Sequence, residues 1–145
     1  YLRPRAQDIP VLLVPGNHDR YTFRARKIKR VETILKGLLP TEWPHFEHLT
    51  GNWHLLALDS AMPQIVMSRG AIGPTQMQGT RMHLAKLGPA DGVLVLCHYP
   101  VATPAGIPSA WSHNLAEDKE LRRVLGEAAA RVEFLHGHIH KPWHW

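Results

Sequence analysis

Three short, mainly apolar runs constrain this chain more than any other feature: VLLV at 11–14, GVLVLC at 92–97 and VEFL at 132–135. Each is too short for a core helix, and each carries apolar residues at successive positions, as a strand covered on both faces must. Stretches with helical spacing separate them, so the expected class is α/β with a largely buried, partly parallel sheet. The runs also end alike. The first leads into GNHD at 16–19, the second into HYP at 98–100 and the third into HGHIH at 136–140. Ligands of open sheets sit just beyond the carboxyl ends of the strands. Three turns rich in amide, imidazole and carboxylate groups at three such ends are therefore expected to share one site.

The intervening segments fill in the alternation. After GNHD a helix is expected to run to just before Pro40, burying Ile28, Val31, Ile34, Leu35, Leu38 and Leu39. HFEHL and WHLLALDS, joined by Thr50, Gly51 and Asn52, read as a hairpin. A second helix opens at Pro74 and Thr75 and continues to about Leu87, where Gly88 and Pro89 stop it. Residues 101–114, with Pro104, Gly106 and Pro108, read as a loop. A third helix is expected over about 115–130, with Leu121, Val124, Leu125, Ala128 and Ala129 on one face.

At 145 residues the chain is the size of one domain and can bury a core without covalent staples. The lone Cys97 excludes an internal disulfide and fits a reducing, cytoplasmic compartment. No apolar run approaches the ~18 residues of a membrane span, so no membrane partner is expected. The net charge of +5 is concentrated in Arg20, Arg24, Arg26, Lys27, Lys29 and Arg30. Such a run can attract nucleic acid. The reading favoured here is the solvated face of an amphipathic helix. The chain opens on Tyr1 rather than Met and leads at once into a strand-like run. Residues 1–145 are therefore read as a single domain incomplete at its N-terminus, with the same reading open for its C-terminus.

His138 and His140 stand one residue apart on a turn, a spacing that suits ligands of adjacent ions better than two ligands on one helix face. Gly137 removes a side chain where backbones must approach. Asn17 and His18 are adjacent, which favours a division of labour: the amide oxygen as a ligand, the imidazole as a proton donor. Asp19, or Asn17, could equally accept backbone N–H bonds at the start of the following helix. His98 alone reads as a satisfied histidine at a strand end.

In order, GNHD, then H-x-P after an apolar strand, then GHxH resembles the signature of the calcineurin-like metallophosphoesterases, over residues 11–140. ALDS at 57–60, followed by a helix containing Gln76 or Gln78, is similar to the cyclic-nucleotide-phosphodiesterase-like branch. The resemblance implies a four-layer αββα sandwich of two mixed sheets. It implies hydrolysis of small phosphate mono- or diesters at a dinuclear centre of divalent or trivalent Mn, Fe or Zn, with a hydroxide bridging the ions as nucleophile. It makes Asn17, His98 and His138 ligands of one ion, His140 a ligand of the other, and His18 the catalytic histidine beside the leaving-group oxygen. Arg20 or Arg24 would add charge for the phosphate.

The chain departs from that pattern before GNHD. The D-x-H and G-D motifs are not in it, and Asp8, the one acidic residue in that stretch, lacks a preceding glycine. The resulting expectations are an incomplete first metal site, a fold lacking its N-terminal strands, and no activity from these residues by themselves. The alternative is a non-catalytic protein-interaction module on the same scaffold, as in a retromer subunit.

Overall fold

A computed structural model describes residues 10–20, 22–27, 29–63, 68–102 and 113–140. Four strands form one mixed sheet in sequential order: β1 (His45–Thr50), β2 (Trp53–Leu58), β3 (Gly92–Cys97) and β4 (Arg131–Leu135). The expected hairpin is present, with β1 antiparallel to β2 and Gly51 at φ 56° in its turn, a conformation that suits glycine. From β2 onward the strands are parallel. Their carboxyl ends therefore point the same way and deliver Asp59, His98 and His136 to one side of the molecule.

Register decides which face is core. Phe46, Leu56, Val95 and Phe134 lie in one row across the sheet. Two helices, here α3 (Gly73–Leu84) and α4 (Asp118–Gly126), contribute Met77, Leu84, Leu121, Val124 and Leu125 to the same cluster. Leu56, Leu58, Val93 and Val95 are wholly inaccessible. Each such burial stabilises by about 1.5–3 kcal/mol, so this packing holds the strand ends that carry the site. On the opposite face Leu55 and Ala57 are buried, while Leu94 and Leu96 are half-buried and Leu135 is exposed.

Several elements are shorter than their periodicity predicts, for local reasons. Leu115 does not begin α4, because it forms a parallel bridge with Gly70. The Ala116 N–H donates to the Gly70 carbonyl at 2.8 Å, and the Gly70 N–H donates to the Asn114 carbonyl at 3.1 Å. The start of α3 is capped from a distance: the Glu117 carboxylate accepts the Ile72 and Gly73 N–H groups at 3.2 and 3.1 Å. Its end tightens at Leu84, with Lys86 and Leu87 N–H groups reaching back three residues at 3.1 Å.

Two expectations are corrected. Residues 11–14 are not a strand; they form an irregular, half-buried segment. Among the described residues its main-chain bond is from the Leu13 N–H to the Leu38 carbonyl at 2.8 Å, and a strand needs a ladder of such bonds. The single basic helix is instead two short ones, α1 (Phe23–Lys27) and α2 (Arg30–Ile34), broken where Lys29 adopts φ 48°. Its stripe is correspondingly reduced: Val31 is buried, but Ile34 is 60% exposed. Arg24, Lys27, Lys29 and Arg30 lie on the surface, as a solvated face would. Asp8, Ile28 and the run with Pro104, Gly106 and Pro108 fall outside the described residues. No helix among the described residues is long and apolar enough to cross a membrane.

Candidate functional site

The turn that carries the first motif is a single 3₁₀ turn, Asn17–Arg20. Asp19 shapes it, as a capping residue would: its carboxylate accepts the Gly16 N–H at 2.8 Å, while its own N–H donates to the Gly16 carbonyl at 3.2 Å. Asn17 is thereby turned inward and buried, whereas His18 and Asp19 are exposed. The Asn17 Oδ1 meets His98 Nε2 at 2.9 Å, across 81 residues of sequence. Gly16 is required for this approach, since a Cβ there would lie 2.9 Å from His98 Cε1.

His98 leaves the end of β3, and the His138 ring stands 5.3 Å from it, centroid to centroid. The Gly137 N–H donates to the His98 carbonyl at 3.0 Å, which is the close backbone approach expected of that glycine. His138 and His140 both have positive φ, 64° and 52°. Two non-glycine residues in the left-handed region within one turn are sterically unfavourable and are held by their surroundings. Beneath them lies the fully buried Tyr99, edge-on to His98 at 5.2 Å and 4.2 Å from His138. Gly70 seats that ring: a Cβ there would come within 2.4 Å of it.

The electrostatics favour neutral imidazoles. Burial lowers the His98 pKa to about 4, aided by His138, His18 and His140 and opposed by Asp19. His138 is lowered too, first by burial, with a hydrogen bond to the His113 backbone opposing and His113, His140 and His18 adding to the effect. Unprotonated nitrogens are what metal ligation requires. His18 and His140 are thus close enough for both half-buried rings to feel them, although both are exposed. His18 also lines a cavity of about 290 Å³ with Asp19, Arg30, Val31, Ile34 and Leu35.

The sequence-predicted residues therefore converge unequally: Asn17, His98 and His138 meet, and His18 and His140 flank them. Among the described residues no three His, Cys, Asp or Glu side chains gather closely enough to hold a metal ion. The convergent set is two imidazoles and an amide. The Asn17–His98 hydrogen bond of 2.9 Å brings an amide oxygen and an imidazole nitrogen to one point. The donor chemistry fits one ion of the first transition row.

Sequence reasoning missed two participants and misread a third. His113, whose ring lies 6.4 Å from His138, sits in the run assigned to a loop, with no motif to mark it. Tyr99 was visible only as the middle letter of HYP. Arg20 is corrected outright: it is buried and not available to a phosphate, because it pairs with Asp59 and with Glu32. Arg24 remains exposed on α1.

Comparison with known proteins gives two matches. Residues 1–142 match the family model described as calcineurin-like phosphoesterase. The chain is 30% identical over 135 residues to the 3',5'-cyclic adenosine monophosphate phosphodiesterase CpdA of Haemophilus influenzae, covering 91% of this chain and 44% of that protein. The chain thus spans less than half the length of this curated relative. No solved structure matches it.

Proposed function

The chain belongs to the calcineurin-like phosphoesterase family, and on that premise we propose that its whole protein hydrolyses phosphate mono- or diesters at a dinuclear metal centre. Asn17, His98 and His138 hold one ion, and His140 contributes to the other. The observation that carries this reading is the meeting of the Asn17 oxygen with His98 Nε2 at 2.9 Å beside His138, three neutral donors from three distant segments. The mixed parallel sheet supports it, being a partial form of that family's fold. When bound, the ions supply Lewis acidity and positive charge for the phosphoryl oxygens.

The remaining chemistry belongs to the chain. His18, exposed beside the half-buried His98 and His138, would donate a proton to the leaving-group oxygen. Asp19 fixes the turn from which it projects. Tyr99 and Gly70 form the floor that keeps His138 from sinking into the core. Because His140 is the one donor assigned to the second ion, these residues are expected to be inactive without further donors. A cyclic nucleotide is the first diester to test, given the activity named for the relative.

The test uses the full-length protein with Mn²⁺, Fe²⁺ or Zn²⁺, assayed on bis(p-nitrophenyl) phosphate, p-nitrophenyl phosphate and cyclic AMP. His138→Ala should lose metal-dependent turnover. His18→Ala should keep metal affinity and lose about 10²–10⁴-fold in kcat, the range of general-acid catalysis. Metal-independent turnover, or full activity in both variants, refutes the reading.

A further inference from the structure

Asp59 and Gln76 take no part in the chemistry above, yet they lead directly to the turn that carries Asn17 and His18. Gln76, in α3, brackets the backbone of Asp59. Its Oε1 accepts the Asp59 N–H at 2.9 Å, and its Nε2 donates to the carbonyls of Asp59 and Ile72, both at 2.8 Å. Asp59 is the first residue past β2, so a side-chain amide stands where the next rung of a ladder would be. This selects Gln76 over the exposed Gln78 as the glutamine of the signature.

The Asp59 carboxylate is fixed in turn. One oxygen accepts the Ala61 N–H at 3.1 Å, and the other accepts a hydrogen bond from Arg20. The second terminal nitrogen of Arg20 donates to Glu32 of α2 at 2.7 Å. The Arg20 and Asp59 side chains are only 9% and 11% exposed. Drawing these charges out of water offsets much of their attraction, so a buried pair is weak evidence of added stability. Among the described residues the buried Arg20 Nε also has no partner, a further cost. A contact so poorly suited to stabilising the fold calls for another reason to be there.

The turn supplies that reason. Arg20 is the last residue of Asn17–Arg20, a turn in which, among the described residues, the Asp19 N–H bonds the Gly16 carbonyl at 3.2 Å and the Asp19 carboxylate caps the Gly16 N–H. The irregular segment before it is bonded through Leu13. We propose that Arg20 is a positioning residue: clamped between Asp59 and Glu32, with Asp59 fixed by Gln76, it sets where the Asn17 oxygen lies against His98. Its effect on metal affinity rests on the function proposed above; its effect on the turn does not.

The experiment separates these. Arg20→Lys keeps the charge but replaces a rigid fork with one ammonium, which cannot reproduce the two-sided clamp. Asp59→Asn keeps the acceptor for Ala61 and removes the charge. In the full-length protein, amide hydrogen exchange at residues 16–19 is measured without metal, and Mn²⁺ affinity by calorimetry well below each melting temperature. Both variants should exchange about tenfold faster at 16–19 and bind Mn²⁺ about tenfold more weakly, the lower range for residues that orient ligands. The double variant should be no worse than the singles, as for residues acting as one unit. Arg81→Gln, which breaks the exposed pair with Glu120, should change neither quantity.

Unchanged exchange at 16–19 in a folded variant overturns the proposal. Faster exchange with unchanged Mn²⁺ affinity reduces Arg20 to a structural residue and overturns it too. If the wild-type protein binds no Mn²⁺, the metallophosphoesterase reading fails, and exchange alone decides the clamp. Should Asp59→Asn not fold, Gln76→Met, which removes both bonds to Asp59 at similar volume, provides the same readouts.

Discussion

Gly16→Ala tests the site through a single methyl group. Its Cβ would stand 2.9 Å from His98 Cε1, 3.1 Å from Nδ1 and 3.2 Å from Nε2. Ordinary contact begins near ~3.5 Å, so the ring must retreat by about 0.5 Å. A retreat of that size would stretch the 2.9 Å contact with Asn17 to the limit of a hydrogen bond. Tyr99 and His138 flank the ring at 5.2 and 5.3 Å, which restricts where it can go. Overpacking of this kind costs about 1–3 kcal/mol, and the low end applies because His98 is half-exposed. At about 1 kcal/mol the melting temperature should fall by roughly 2–4 °C. Metal affinity should suffer more, by about tenfold or greater, because the ligands themselves move. Gly51→Ala is the control: with φ 56° and no atom within 4 Å of the new Cβ, it should cost a similar 1–2 kcal/mol through the backbone alone. Calorimetric titration with Mn²⁺ and urea unfolding compare the two in the full-length protein. If Gly16→Ala binds Mn²⁺ as the wild type does, or Gly51→Ala weakens binding as much, the proposed packing of Gly16 on His98 is wrong.

Two further outcomes follow from the buried groups. His98 has its pKa lowered to about 4 from 6.5 in the fold, so the unfolded chain takes up its proton first as pH falls. That contribution is full above 6.5 and is lost progressively down to about 4, with His138 acting in the same direction. Discounted for partial exposure, the loss from His98 is about 1 kcal/mol. Urea midpoints in chelator between pH 7 and 4.5 should therefore fall less steeply for His98→Gln than for the wild type; equal slopes would contradict the assignment. Cys97 is wholly buried against Ser60, and burial raises its thiol to about 11. Since the thiolate is the reacting species, Ellman's reagent at pH 8 should label Cys97 only on unfolding, and rapid stoichiometric labelling of the native protein would contradict its burial.

The sequence was most legible where local chemistry and long-range packing agree. The hairpin, β3 and β4 combine strand patterning with the turn residues that each connection needs. HYP and GHIH were legible as a pair because the parallel strands β3 and β4 place their following turns on one side, whereas GNHD reaches them from an irregular segment. The run at 11–14 shows the limit of pattern reading: four apolar residues describe a segment that could be a strand, but pairing is decided by a partner they do not encode. The basic helix failed for a different reason. Its apolar spacing is continuous, yet Lys29 turns left-handed, and Ile34 is left outside the core. The role of Arg20 was hidden among five other cations. Only the position of Asp59, 39 residues away, distinguishes it from them.

These differences leave the two halves of the site anchored by unlike means. His98 and His138 follow β3 and β4, which pair in parallel register and bury Val93 and Val95 completely. Disturbing them means disturbing the core. No strand precedes Asn17 and His18 among the described residues, and charged and polar contacts help to hold their turn: Asp19 to the Gly16 N–H, Arg20 to Asp59 and Glu32. Such contacts are directional and can be lost one at a time, whereas the sheet is lost cooperatively. Local opening should therefore release the Asn17 side first while the histidine side remains in place. The residue proposed as proton donor and one proposed metal ligand would leave together, and the Gln76–Asp59–Arg20 chain is the structure's means of keeping them in register with the strands.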